Sequence, residues 1–211
     1  MKYSLKNNLA TLALAINFGF TLTAPAMAAD KVAYFAGGCF WCTEADFEKI
    51  DGVGDVISGF MGGSEPNPSY RDVAYGRTTH RETVKVPYDD SKVSYQQLLS
   101  AFWRMHDPSD GKGSFVDRGR HYSSAIFYAY AEQKRLAEGA VAALKKSGKF
   151  DRPITTEVAQ AEGFYAAEGY HQDYYKKAPT KYKYYRFRSG RDQFIKAVWK
   201  GDDKVYQTAK R

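Results

Sequence analysis

Apolar and polar positions follow two different periods along the chain, and these periods predict a mixture of strands and helices. Short apolar or alternating runs predict strands at 32–35, 53–60, 81–88, 123–130 and 158–161. Helical spacing predicts helices at 40–50, 94–105 and 131–146. The second of these helices carries its own start and stop, since Ser94 and Gln97 form a capping box and Pro108 follows its last turn.

The first 28 residues have the features of a signal peptide. Lys2 and Lys6 give a positive start, residues 9–22 are mostly apolar, and residues 25–28 end in an Ala-x-Ala pattern. The apolar run is too short to span a membrane. We therefore expect cleavage after this segment and an exported protein, periplasmic if the source is a Gram-negative bacterium. Residues 29–211 then have the length of a single catalytic domain with no further membrane segment.

Two stretches of the chain show neither the alternation of a strand nor the spacing of a helix. Residues 107–122 form a polar, glycine-rich loop whose length suggests a function. Residues 164–191 alternate tyrosines with basic residues, a composition that can bind single-stranded nucleic acid. We favour a surface coil instead, with tyrosines lying on the core and charges facing water. The net charge of +7 falls by two without the signal lysines, and an exported protein rarely meets nucleic acid, so we expect no such partner.

The candidate chemistry centres on the two cysteines of the chain, Cys39 and Cys42. Gly37 and Gly38 separate the first predicted strand from the first predicted helix, which places Cys39 at the helix N-terminus. Free backbone N–H groups and the positive end of the helix dipole favour an anion there. We therefore expect the pKa of Cys39 to be lowered and its thiol to be nucleophilic. Cys42 follows one turn later on the same face, which indicates a redox pair.

Two other interpretations of the cysteine pair remain open. A structural disulfide would close a loop of only four residues, which stabilises little, and the geometry within one helical turn is poor for a relaxed bridge. A metal site needs about four ligands, of which the pair supplies two. His171 is a weak candidate for a further ligand, and we expect it to make a structural hydrogen bond.

Glu82 is the candidate acid. Alternation along the strand at 81–88 places Glu82 on the same face as Val84, Val86 and Tyr88. An acid on an apolar face is unusual and would have a raised pKa. The alternative is that Glu82 lies at the mouth of the sheet in contact with water.

Six short motifs are spaced along residues 32–175. They are Gly-Gly-Cys-Phe-Trp at 37–41, Gly-Phe-Met-Gly-Gly at 59–63, His-Arg-Glu at 80–82, Phe-Trp-Arg-Met-His-Asp-Pro at 102–108, Asp-Arg-Gly-Arg-His-Tyr-Ser-Ser at 117–124 and Ala-Glu-Gly-Tyr-His-Gln at 167–172. Each is modest alone, but in this order they resemble the A-type peptide methionine sulfoxide reductases. The resemblance implies an α+β fold: a single domain with a central mixed β-sheet flanked by helices, in a ferredoxin-like sandwich.

The resemblance also implies an activity. The family reduces the S epimer of methionine sulfoxide, free or in proteins, and so repairs oxidised proteins. It needs no metal or organic cofactor. Cys39 would attack the sulfoxide and become a sulfenic acid, and Cys42 would resolve it to a disulfide, because no cysteine follows Cys42. A thioredoxin-like electron donor would reduce that disulfide. We expect a monomer.

Roles for five further residues follow from the resemblance. Glu82 would give a proton to the sulfoxide oxygen, Tyr122 would donate a hydrogen bond to it, and Asp117 would orient the site or a water. Phe40 and Trp41 would hold the S-methyl group in an apolar pocket.

One position departs from the family. Phe60 stands where relatives usually have tyrosine, within the motif at 59–63. We expect the ring of Phe60 to line the substrate pocket without donating a hydrogen bond. Tyr122 and Glu82 would then carry the stabilisation of the sulfoxide oxygen.

The rival enzyme class is a thioredoxin-like disulfide oxidoreductase. Those proteins also carry a Cys-x-x-Cys motif after a strand, and Pro87 would be the matching downstream proline. The bulky pair Phe40 and Trp41 between the cysteines argues against this class, which also leaves the other motifs unexplained.

Overall fold

The structure, a computed structural model, describes residues 30–200 and residue 202. The strands are β1 (Asp30–Ala36), β2 (Ile57–Met61), β3 (Arg81–Asp89), β4 (Gly113–Ser114), β5 (Asp117–Arg118), β6 (Ala125–Tyr128), β7 (Glu157–Gln160) and β8 (Tyr165–Ala166). The α-helices are α1 (Phe40–Phe47), α2 (Tyr70–Ala74), α3 (Tyr95–Phe102), α4 (Ala131–Lys146), α5 (Tyr174–Lys177), α6 (Pro179–Arg188) and α7 (Arg191–Trp199), with a 3-10 turn at Arg120–Tyr122. The predicted signal peptide, residues 1–28, lies outside the described residues.

Six of these strands form one mixed sheet in the order β7-β6-β1-β3-β2-β8. Neighbouring strands are antiparallel except β6 and β7, which are parallel. The four central strands, β6-β1-β3-β2, have the order of a ferredoxin-like unit, in which α1 connects β1 to β2 and α3 lies between β3 and β6. The predicted α+β fold with a ferredoxin-like mixed sheet is confirmed.

The main core lies between this sheet and helices α1 and α3. Phe35 of β1 packs at 4.9 Å, centroid to centroid, against both Phe47 of α1 and Phe102 of α3. The three rings therefore join the sheet to the two helices that flank the cysteines. The predicted capping box of α3 is present: the Ser94 hydroxyl accepts from the Gln97 N–H at 3.3 Å, and the Gln97 side chain accepts from the Ser94 N–H at 2.8 Å.

Most of the predicted elements are present, with shorter bounds. Helix α4 has the predicted limits, whereas α1 ends at Phe47 and α3 at Phe102. The strand predicted at 53–60 begins only at Ile57, because the preceding residues make a single bridge, Val53 with Tyr88. The loop predicted at 107–122 contains the small hairpin of β4 and β5.

The coil prediction for residues 164–191 is wrong for the second half of the segment. Helices α5 and α6 occupy residues 174–177 and 179–188, and α7 begins at Arg191. Frequent basic residues hide the apolar period, and packing of individual aromatic rings stabilises the helices instead. Two residues of the sequence do indicate the ends of a helix here. Pro179 stands at the first position of α6, and Gly190, with φ +79°, comes shortly after the last residue of α6. Among the described residues, none of the helices is long and apolar enough to cross a bilayer.

Candidate active site

The cysteine turn connects β1 to α1. Cys39 is the N-cap residue of α1, and its carbonyl accepts from the N–H groups of Cys42 and Thr43 at 3.1 and 3.2 Å. Gly38 has φ +89°, and a Cβ there would lie 2.3 Å from Cβ of Ser114, so the turn requires glycine. The predicted position of Cys39 at a helix N-terminus is confirmed.

A cavity of about 190 Å³ opens at this turn. It is lined by Cys39, Phe40, Trp41, Tyr70, Glu82, Asp117, Tyr122 and Tyr185. Six of the eight residues predicted to form the site therefore meet in one place. The other two, Cys42 and Phe60, lie behind the cavity wall, while Tyr70 and Tyr185 are additions that the sequence analysis did not identify.

Glu82 lies at the inner end of the cavity on β3. Its side chain is only 2% exposed, and Oε2 accepts a hydrogen bond from the Phe40 N–H at 2.9 Å. Burial raises the pKa of Glu82 to about 8, against the lowering effect of that hydrogen bond. The carboxyl is therefore mostly protonated at neutral pH, with Oε1 as the oxygen that can carry the proton. The alternative of a solvated acid at the mouth of the sheet is wrong.

The predicted lowering of the Cys39 pKa is also wrong. Burial raises the pKa of this thiol well above its ordinary value, and the hydrogen bond to Cys42 and the charges of Glu82 and Asp117 act in the same direction. The helix N-terminus does not offset burial because Glu82, rather than the thiol, accepts from the Phe40 N–H. The sequence does not show that Glu82 competes with the Cys39 thiol for the N–H groups at the start of α1.

Cys42 is the more acidic thiol of the pair. The hydrogen bond from Cys39 lowers the pKa of Cys42 to about 7, and the positive charges of Arg191 and Arg186 add to that effect. Cys42 is fully buried and shares an apolar cluster with Cys39, Ala45 and Tyr182. Both thiols are reduced. The pair can therefore hold one thiolate near neutral pH, shared through the hydrogen bond.

Two phenols face Cys39 across the cavity. Tyr122 ends the 3-10 turn, and Tyr70 is the first residue of α2, which Ser69 caps by accepting from the Asp72 N–H. Burial, followed by the charge of Glu82, raises the pKa of both phenols, so each stays a hydrogen-bond donor. Tyr70 lies outside the six sequence motifs, and only the packing of α2 brings it to the cavity.

Phe60 does not line the cavity, and this prediction is wrong. Its ring is 0% exposed and packs behind Phe40 at 5.9 Å between centroids. On β2 it pairs with Glu82 of β3, so the two side chains share a face of the sheet. A hydroxyl at position 60 would lie in the core. The second hydroxyl of the site comes from Tyr70 instead.

Asp117 and Tyr185 close the side of the cavity opposite Tyr70. Tyr185 projects from α6, and its hydroxyl donates a hydrogen bond to Oδ2 of Asp117. Burial raises the pKa of Asp117, and the Tyr185 hydrogen bond together with Arg191 works against that rise. Asp117 is thus a second partly buried acid, held in one orientation by a residue of the C-terminal segment.

Trp41 is fixed by residues of the same segment. Its indole Nε1–H donates to Nδ1 of His171 at 3.1 Å, and its ring stacks on Tyr174 at 3.9 Å. The predicted hydrogen-bonding role of His171 is confirmed, and the bond assigns the imidazole proton to Nε2. His171 also packs against Tyr70 at 4.1 Å and so connects two walls of the cavity.

Among the described residues, one acidic group has the spacing of metal ligands: Glu44, Glu48 and Asp173. The Lys176 ammonium already lies 2.8 Å from carboxylate oxygens of both Glu48 and Asp173. Glu44 accepts from the Asp173 N–H at 2.7 Å and from the Ser58 hydroxyl at 2.8 Å. These contacts explain the group as the attachment of α5 to α1.

Comparison with known proteins decides the family. The family model described as peptide methionine sulfoxide reductase matches residues 31–203. The chain belongs to this family. Its six motifs thus have the origin that the sequence analysis expected.

Relatives agree with this membership. A Listeria monocytogenes protein named peptide methionine sulfoxide reductase MsrA is 48% identical over 169 residues, covering 80% of this chain and 96% of that protein. A Vibrio cholerae protein named peptide methionine sulfoxide reductase MsrA/MsrB is 49% identical over 170 residues, or 81% of this chain. The chain spans 45% of the length of the Vibrio protein.

Solved structures of the family share the fold. Reduced Mxr1 from Saccharomyces cerevisiae superposes with a TM-score of 0.68 at 30% identity, covering 72% of this chain and 87% of that one. Methionine sulfoxide reductase A of Corynebacterium diphtheriae gives 0.65 at 34% identity, covering 73% and 77%.

The position of Pro87 gives no support to the thioredoxin-like alternative, which would place this proline beside the cysteines. Pro87 lies five residues along β3 from Glu82 of the cavity, roughly 16 Å at the rise of a strand.

Proposed function

We propose that this protein reduces the S epimer of methionine sulfoxide, free or in polypeptides, to methionine, and so repairs oxidised proteins. The observation that carries the proposal is the meeting of a thiol, a neutral carboxyl and two phenols in one small cavity at Cys39, Glu82, Tyr70 and Tyr122. A volume of about 190 Å³ is below the 300–1,000 Å³ typical of pockets for larger ligands. It suits the end of one side chain. The motifs shared with the family support the choice of epimer.

The first step transfers the oxygen from the sulfoxide to the enzyme. Cys39 attacks the sulfoxide sulfur, and Cys42, as the more acidic partner, accepts the Cys39 proton. Glu82 gives its proton to the sulfoxide oxygen, which the Tyr70 and Tyr122 hydroxyls also contact. The resulting adduct between the Cys39 sulfur and the protonated sulfoxide breaks down to methionine and a sulfenic acid on Cys39. In net terms, thiol and sulfoxide become sulfenic acid and sulfide.

The second step makes a disulfide. The Cys42 sulfur attacks the Cys39 sulfur, the S–O bond breaks, and the proton that Cys42 accepted in the first step passes to the leaving oxygen, which departs as water. The shared buried cluster of the two cysteines, one helical turn apart, supports this step. The third step returns two electrons from a dithiol donor of the thioredoxin-like class, whose thiols end as a disulfide.

A racemic substrate tests the proposal directly. The protein from residue 29 onward is incubated with racemic methionine sulfoxide and dithiothreitol, and the remaining epimers are resolved by chiral chromatography. We expect the S epimer to disappear and the R epimer to remain. A matched Cys39→Ser protein controls for reduction by dithiothreitol alone. Consumption of the R epimer, or of neither, would contradict the proposal.

We also propose that residues 1–28 direct export, to the periplasm in a Gram-negative host. The charged start, apolar run and Ala-x-Ala ending support this. The test is expression of the full chain in a Gram-negative host, with osmotic-shock fractionation and N-terminal sequencing. A chain that stays cytoplasmic with its N-terminus uncut contradicts export.

A further inference from the structure

Arg191, the first residue of α7, is buried directly behind the cysteine turn. Its side chain is 0% exposed. Nη1 donates to the carbonyl of Gly37 at 3.3 Å and to the carbonyl of Met105. Nη2 lies 3.3 Å from the point where a Cβ on Gly38 would be. The guanidinium therefore touches the backbone of the two residues that precede Cys39.

This cation lacks a full set of partners. Among the described residues, Nε and Nη2 have no hydrogen-bond acceptor, and the salt bridges present elsewhere do not include Arg191. The Phe115 ring covers the guanidinium at 4.9 Å, and the neighbouring His106 is neutral, because burial and the charge of Arg191 lower its pKa to about 3. A buried cation without an anionic partner costs stability, so its position calls for an explanation.

Cys42 is the acid whose ionised form would interact most strongly with Arg191, followed by Cys39 and Tyr185. Of these three groups, Cys42 is the one whose pKa is lowered, so its thiolate is the anion that Arg191 stabilises. The second cation near Cys42, Arg186, is already neutralised, since it forms a salt bridge with Asp46 at 2.9 Å. The other titratable neighbours of Cys42 are the carboxyl of Glu82, which is mostly protonated, and the phenols of Tyr182 and Tyr185, which stay protonated. Arg191 also works against the rise in the pKa of Asp117, but among the described residues it forms no salt bridge with that carboxyl, which accepts a hydrogen bond from Tyr185 instead.

We infer that Arg191 is a positioning residue of the cysteine turn, whose buried charge stabilises the thiolate of Cys42 both as attacking group and as leaving group. The inference rests on the proposed function. Cys39 lines the cavity, whereas Cys42 is fully buried. A donor thiolate can therefore reach only the Cys39 sulfur of the disulfide. It forms a mixed disulfide with Cys39 and expels Cys42 as a thiolate, and a more acidic thiol leaves faster.

The first test measures Cys42 alone. In a Cys39→Ala protein the side chain at position 39 has no donor for Cys42, and thiolate absorbance at 240 nm against pH reports the pKa of Cys42. We expect a value below the ordinary 8.5 or so of a free thiol, because Arg191 remains. A value at or above about 8.5 overturns the inference, since burial without a stabilising cation raises the pKa.

Two substitutions separate charge from scaffolding. In the Cys39→Ala background, Arg191→Gln keeps a donor for the Met105 carbonyl but removes the charge, and we expect the thiolate-to-thiol ratio of Cys42 at pH 7 to fall about tenfold, one pKa unit. Arg191→Lys keeps the charge and should stay within about threefold. The matched control Arg188→Gln, on exposed α6 surface, should change nothing. Equal effects of Gln and Lys would assign Arg191 a scaffolding role and overturn the inference.

The leaving-group role is tested without any sulfoxide. Diamide oxidises the two-cysteine protein to the Cys39–Cys42 disulfide, and the rate of its reduction by dithiothreitol is then followed. We expect Arg191→Gln to slow reduction several-fold and Arg191→Lys to restore it. An unchanged rate in a folded Gln variant contradicts the inference. Because neither measurement uses methionine sulfoxide, failure here is distinct from failure of the proposed activity. If the Arg191→Gln protein does not fold, the titration of Cys42 in the protein that keeps Arg191 still decides whether the thiolate is stabilised.

Discussion

Two regions that build the same cavity differ in how they are encoded. The cysteine turn, residues 36–44, carries its chemistry in consecutive positions, and two glycines and one helix start define its shape. The C-terminal segment, residues 164–199, has no motif of comparable clarity, yet it delivers Tyr185, His171 and Arg191 to the back and sides of the turn. The reacting sulfur atoms thus come from a local motif, while the groups that set their environment come from distant residues.

The two regions also differ in what a substitution removes. A change in the turn, or in Glu82 that contacts it, removes an atom that forms or breaks a bond. A change in the C-terminal segment shifts the orientation or the ionisation of such an atom. We therefore expect effects on rate to decrease from the first region to the second, and the following experiments are ordered accordingly.

The largest effect belongs to the cysteines. Cys39→Ser should abolish turnover, because a hydroxyl cannot replace the attacking sulfur. Cys42→Ser should still convert one equivalent of sulfoxide and then stop with a sulfenic acid on Cys39, detectable by mass spectrometry. In the unsubstituted protein the same treatment should give a Cys39–Cys42 disulfide, lighter by two hydrogens. Sustained turnover by Cys39→Ser would remove the turn from the chemistry.

Glu82→Gln should slow the single-turnover rate by roughly 10²–10⁴, the usual contribution of a general acid. The pH dependence of the single-turnover rate gives a second test of Glu82 as the acid. Because the pKa of Glu82 is raised to about 8, its acidic proton is present below pH 8 and is lost as the pH rises through that value. The rate should therefore fall above about pH 8, and Glu82→Gln should lack this alkaline limb. An alkaline limb that persists in Glu82→Gln would assign the acid to another group.

The two phenols should each contribute less. Tyr122→Phe and Tyr70→Phe should each slow single turnover by roughly 10- to 100-fold, since each removes one hydrogen bond to a developing charge. In a double-mutant cycle the two should couple by more than about 0.5 kcal/mol if they contact the same oxygen. Coupling of Tyr122 to Phe60→Tyr, rather than to Tyr70, would contradict the assignment.

Phe60→Tyr tests, through protein stability, whether position 60 lies in the core or in the cavity. The ring at this position lies in the core, so an added hydroxyl without a partner should lower the free energy of unfolding by about 1–3 kcal/mol. It should leave the single-turnover rate nearly unchanged. Chemical denaturation and stopped-flow kinetics measure the two quantities. A faster, equally stable Phe60→Tyr protein would place position 60 in the site after all.

The smallest effect probes the C-terminal segment. Tyr185→Phe removes the hydrogen bond to Asp117 and should slow turnover by roughly two- to tenfold. It should also raise the pKa of Asp117 further, since that bond works against the rise. Tyr184→Phe is a matched control, because the neighbouring Tyr184 is 68% exposed. Equal rates for the two variants would mean that the segment only covers the site.

Elements with a clear period, and the groups that react, could be predicted from the sequence. Helix α4, the capping box of α3 and the turn at Gly37 and Gly38 follow from spacing over a few residues, and so does the face of β3 on which Glu82 lies, whereas its burial was left open. Local rules suffice there, because a helix cap, a strand face and a tight glycine turn are each set by neighbouring side chains.

Three features depend on contacts between distant elements: the ionisation of the cysteines, the source of the second hydroxyl and the conformation of residues 164–191. The pKa of a thiol depends on burial and on charges from other elements, and Arg191 lies 154 positions from the Gly37 carbonyl that it binds. Tyr70 and Phe60 are both aromatic residues near Glu82 in the fold, and only the packing of α2 and β2 shows which one faces the cavity. The C-terminal helices form because their rings pack on Trp41 and Cys42, contacts that no local period encodes.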